Sequence, residues 1–114
     1  MAHTYTSLLY QIVYSTKDRH GWLTPDIRGR VHEYLGGAIR KEGGHSIIVG
    51  GVEDHVHLFA KLRQDKALSD TIRDIKANSS GWIHEQFPQL RDFAWQRGYG
   101  AFTVSGSQSG KLEI

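Results

Sequence analysis

HSIIVGGVEDHVHLFAKLR, residues 45–63, is the stretch that decides the fold. It contains two runs, HSIIVGGVED and HVHLFAKLR, whose β-branched and aromatic residues read as two successive strands. Gly50 and Gly51 allow a bulge or a close backbone approach. Along the second run, alternation sets Asp54, Val56, Leu58, Ala60 and Leu62 on one side, and Glu53, His55, His57, Phe59 and Lys61 on the other. The first side, past Asp54, is core. The second carries two imidazoles, a ring and a cation, and covering it with a helix would cost desolvation free energy. That side is expected on an open sheet face.

Working outward, YTSLLYQIVYST (residues 5–16) has no Gly or Pro and reads as an earlier strand. TPDIRGRVHEYLGGAIRKEGG (24–44) reads as a helix, with Thr24 as N-cap, Pro25 at the first position and Gly43 and Gly44 as its stop. Ile27, Val31, Tyr34, Leu35, Ala38 and Ile39 repeat with helical period. Past a polar connection, Ser69 is the expected N-cap of a second helix over SDTIRDIKANSSGWIHEQF. There Ile72, Ile75, Ser79, Trp82 and Ile83 share a face, Pro88 closes the segment, and GYGAFTVS (98–105) is a last strand. The order β-α-β-β-α-β predicts an α+β, ferredoxin-like domain: an antiparallel sheet with two helices on one face, as in RNA-recognition modules.

The 114 residues make one domain, 1–114, with a net charge of +2 that permits a nucleic-acid partner without demanding one. With no Cys there is no disulfide framework and no thiolate metal site. No run approaches the ~20 apolar residues of a membrane span, so a cytoplasmic location is expected.

His55 and His57, two apart on a strand, are placed to converge on one divalent metal, which would polarise a phosphoryl oxygen. The bland reading is a pair of half-exposed strand histidines. Lys17 and Arg19 follow the first strand, where they would grip phosphates or simply be solvated. Arg73 and Lys76 form a basic ridge on the second helix, unless Asp70 and Asp74 take them up as helix ion pairs. Phe59 is a candidate stacking platform for bases, with Lys61 on phosphates.

SLLYQIVYSTKDR, GVEDHVHLFAKL, LSDTIRDIKANSSGWI and FAWQRGYGAFTVS together resemble, in order and nearly end to end, the single-tyrosine HUH transposases of small insertion sequences. They are also similar to the related repeat-associated tyrosine transposases. His55, Val56 and His57 fill the His-hydrophobic-His triplet. The resemblance implies a ferredoxin-like homodimer that binds single-stranded or hairpin DNA at insertion-sequence ends and cuts and rejoins it. It further implies Mg²⁺ or Mn²⁺ at His55 and His57, with a tyrosine as nucleophile.

In that family the tyrosine lies on a C-terminal helix, followed by a Gln that completes the metal site. Here only GSQSGKLEI follows Ser105, so the nucleophilic tyrosine is not found and the chain is expected to lack that helix. Tyr10-Gln11 stands where many relatives carry a His, and Glu53 is the substitute carboxylate on the histidine side. The rival expectation is a non-enzymatic single-stranded nucleic-acid binder. Apolar residues on both faces of the first strand suggest that this strand is buried in a sheet shared by two copies.

Overall fold

The structure, a computed structural model, describes residues 7–104. Its elements run β1 (Ser7–Ser15), α1 (Pro25–Lys41), β2 (His45–Gly51), β3 (His55–Arg63), α2 (Leu68–Gln86) and β4 (Gly100–Val104). Short 3-10 turns at Lys17–Arg19 and Pro88–Leu90 interrupt the connections. The four strands form one antiparallel sheet in the order β2-β3-β1-β4. This is the ferredoxin-like arrangement that the element order predicts.

Both helices cover one face, because the apolar stripes of α1 and α2 and the inward side chains of β1 and β3 bury one another. Ile27, Val31, Leu35 and Ile39 from α1 meet Ile72, Ile75 and Ile83 from α2 over Ile12, Tyr14, Val56 and Leu58. Each such fully buried aliphatic side chain contributes ~1.5–3 kcal/mol relative to exposure. Tyr34 and Trp82, on the edge of that stripe, stack with centroids 4.6 Å apart.

Thr24 caps α1 in extended conformation with Pro25 behind it, although its hydroxyl turns to Asp26 rather than to a backbone N–H. Ser69 does not cap α2. Ala67 holds the extended cap position, and its carbonyl accepts from the N–H groups of Asp70 and Thr71. Ser69 therefore falls inside the first turn, where Asp70 meets the positive end of the helix dipole.

Gly51 has φ +146°, and a Cβ there would run into the carbonyl oxygen of His55. The close backbone approach expected of the Gly50-Gly51 pair is thus real, whereas the register shift of β2 lies between Ser46 and Ile48. β1 is central, flanked by β3 and β4. Its two apolar faces serve the core on one side and the open face on the other, so it offers no edge to a second copy.

Ser79, buried within α2, ties the last connection to this frame. Its hydroxyl donates to the carbonyl of Ile75 at 2.8 Å and accepts from Trp95 Nε1 at 3.0 Å. Trp95 packs edge-on against Tyr14, and the next residue, Gln96, donates its backbone N–H to Ser15. The 95–99 segment is thereby laid against the end of β1.

Candidate metal and nucleic-acid site

The open face is read off the strand register. His55 lies opposite Ser15, and His57 opposite Val13. Gly50 and Gly100 complete the row of His57 on β2 and β4. Open space surrounds the Cβ positions of both glycines, so nothing beside His57 but Val13 rises from that row. The two imidazoles are half-buried, with ring centroids 4.9 Å apart and planes at 74°.

A carboxylate outside the strand orients the first of them. Asp54 Oδ1 is 2.8 Å from His55 Nδ1, and Arg19 Nε is 3.3 Å from Asp54 Oδ2. The hydrogen bond from His55 holds the Asp54 carboxyl below its usual range against the opposing effect of burial, and the charge of Arg19 adds a smaller lowering. In its neutral form, with its Nδ1–H given to Asp54, His55 has its Nε2 lone pair left for a ligand. Burial, then the charge of His55, lowers the pKa of His57 and favours its neutral, ligating form.

Arg19 reaches Asp54 through an uncommon turn. Asp18 and Arg19 both adopt left-handed backbone, φ 56° and 54°, which costs non-glycine residues of order 1 kcal/mol each. Three bonds hold it: Asp18 N–H donates to Gln96 Oε1 at 2.8 Å, Arg19 N–H to Thr16 O, and the Thr16 hydroxyl to His20 O. Asp54 and Gln96 were missed by strand alternation, since neither lies in a strand. A carboxylate immediately before the histidine pair was the available signal for Asp54.

The other expected residues are dispersed in their roles. Lys17 and Lys61 are exposed, and neither ammonium has a partner among the described residues. Arg19 stays largely exposed despite its ion pair. Phe59 is on the open face but only 6% exposed, enclosed by Leu9, Val104 and Ile47, and so it offers no stacking surface. Phe102, two strands over in the same row, is 58% exposed and does. Arg73 is taken up by Asp70 at 3.0 Å and Asp74 at 3.3 Å.

Lys76 donates to the carbonyls of Gln96 and Gly98, where burial pushes its pKa down. The basic ridge expected on α2 is therefore spent within the fold. Glu53 pairs with Arg28 at 3.5 Å, and among the described residues no third His, Asp or Glu joins the pair.

An antiparallel ferredoxin-like sheet with a His-hydrophobic-His pair on its uncovered face defines the class of protein. Residues 4–113 match the family described as IS200-like transposases, and the chain belongs to that family. No curated protein matches it. Among solved structures it is similar to a candidate transposase from Deinococcus radiodurans R1, with TM-score 0.83 and 20% identity over 99% of this chain and 91% of that one. It is also similar to a REP-associated tyrosine transposase bound to a REP hairpin, with TM-score 0.67 and 14% identity over 100% and 67% of the two chains. At these identities both likenesses speak for the fold. No helix among the described residues is long and apolar enough to cross a membrane.

Proposed function

We propose that this chain is a cytoplasmic, homodimeric DNA-binding transposase domain whose open sheet face receives single-stranded or hairpin DNA with a phosphate beside His55 and His57. The observation that carries the reading is the imidazole pair: two rings 4.9 Å apart, one aimed by Asp54 and the other biased toward its neutral form by burial. That donor chemistry fits a divalent ion such as Mg²⁺ or Mn²⁺, which when bound would supply a Lewis acid for a phosphoryl oxygen. The protein's own part is positional. Asp54 fixes the His55 tautomer, the flanking glycines leave room for a sugar-phosphate backbone, and Lys17, Arg19 and Lys61 supply positive charge at either end of the path.

Cleavage and rejoining through a tyrosine is the family chemistry this reading carries, and the described tyrosines are poor nucleophiles. Tyr14 is fully buried and its pKa is raised by that burial. Tyr10 is buried, and Tyr34 is stacked on Trp82. Tyr99, although exposed, lines one groove with Ile72, Ala77 and Trp95 and another with Val13 and Ser15, and it is not part of the notch at His57. No tyrosine among the described residues is therefore expected to nick the DNA that the face binds.

The rival, a metal-independent single-strand binder, gains from the donor set having two members among the described residues. One measurement separates them: oligonucleotide affinity of wild type and His57→Ala with and without Mn²⁺. Mn²⁺ should tighten binding by the wild type and leave the variant unchanged. Identical responses in the two proteins would establish the simple binder, and a metal-dependent covalent adduct would overturn the expected inactivity.

A further inference from the structure

One row of the open sheet face is not used by the histidine pair. Ile48 lies opposite Phe59, Phe59 opposite Gln11, and Gln11 opposite Phe102, so four strands contribute one residue each. Neighbouring members are about 4.8 Å apart, and the row sits about 6.7 Å along the strands from that of His57. Gln11, Ile48, His57, Leu58 and Phe59 line a notch of about 160 Å³. Ile48, Leu58 and Phe59 make its apolar part.

The Gln11 amide is the polar exception. It is half-buried, and its side chain meets no hydrogen-bond partner among the described residues. The amide is not among the buried unpartnered groups, so the edge of a ligand would take the place of solvent there. Beside it, Phe102 presents a ring that is 58% exposed, and Ile48, on the far side of Phe59, is 43% exposed. A flat apolar surface next to one donor–acceptor pair is the chemistry of base recognition on single strands, where a base stacks on an aromatic ring and is read along its edge.

We infer that Gln11 and Phe102 form a base-specific subsite, which takes the nucleobase adjoining the phosphate at His55 and His57 and prefers adenine. The inference rests on the DNA-binding reading proposed for this face. Adenine is favoured because its N6 donor is flanked by an acceptor on both edges, N7 and N1, so a primary amide meets it bidentately from either side. Cytosine offers one such edge; thymine, with N3–H between O2 and O4, offers two, but a purine covers more of the phenyl ring than either pyrimidine. The occupant is a base rather than a second copy of the chain, since Gln11 interrupts the apolar row, His57 lines the same notch, and Lys61 stands further along β3, where a neighbouring phosphate would fall.

The test is fluorescence anisotropy of labelled dA, dT and dC oligomers about ten residues long, at low salt, with wild type, Gln11→Ala and Phe102→Ala. Wild type should bind dA about tenfold more tightly than dT or dC, and Gln11→Ala should reduce that preference to the share that stacking on Phe102 supplies, with binding retained. Phe102→Ala, a change at an exposed ring, should weaken all three by about tenfold. Unchanged base preference in Gln11→Ala, or unchanged affinity in Phe102→Ala with DNA still bound, overturns the subsite alone. A wild type that binds none of the oligomers overturns the DNA-binding reading together with it.

Discussion

His32, on α1, buries its Nε2 with no hydrogen-bond partner. Burial, then the nearby Arg28 guanidinium, lowers its pKa from the ordinary value. The unfolded chain binds a proton at about 6.5 that the folded chain resists, so this contribution to stability is complete above that pH. It is lost as pH falls through the folded pKa. His57 adds in the same direction and window, and Asp54, also lowered, adds one further down, below about 4. His32→Leu should therefore melt at higher temperature at about pH 5.5 and show a smaller drop from about pH 7.5 than wild type. An equal drop in both proteins would assign the acid sensitivity elsewhere. Single residues were legible in the sequence where alternation alone decides their side, as for Val56, Leu58, His55 and His57. They were illegible where a neighbour in space decides: Leu9, Ile47 and Val104 close over Phe59, and Arg19 draws Asp54 toward His55.

At the scale of elements, the two strands of residues 45–63 owe their geometry to one glycine. Gly51 adopts φ +146°, and a side chain there would collide with the His55 carbonyl, the backbone of the first metal-ligand candidate. Gly50, its neighbour, has nothing within 4 Å of a Cβ position. Gly51→Ala should cost more than about 1 kcal/mol in urea unfolding and weaken Mn²⁺ binding by displacing His55. Gly50→Ala should leave stability within about 0.5 kcal/mol of wild type. Equal effects of the two substitutions would show that the approach of β2 to β3 is not what sets His55. Helices and strands were legible because period and punctuation agree, with Pro25 and Pro88 marking boundaries that the fold respects. The start of α2 and the register shift at Ser46 and Ile48 were not, since a backbone carbonyl from Ala67 caps as well as a hydroxyl and a bulge leaves no residue signature.

For the whole molecule, the strand order determines how two copies would meet. β1 is enclosed by β3 and β4, which leaves β2 and β4 as the sheet edges among the described residues. β2 carries the register shift, and a bulged edge twists away from a partner strand. β4 runs five residues without one, so its outer backbone is the edge that a second copy would extend. Pairing there continues the sheet and leaves Phe102, Gln11 and the histidine pair uncovered on its face, so dimerisation and DNA binding are compatible. Sedimentation at about 10 μM should give twice the 12.9 kDa chain mass. Phe102→Pro and Thr103→Pro sharpen the test, because successive strand N–H groups point to opposite sides and one of these two points outward. The variant losing the outward donor should stay folded and sediment as a monomer, whereas the other loses a bond to β1. A wild type that is monomeric at that concentration, or folded dimers from both proline variants, would rule out β4 as the dimer edge.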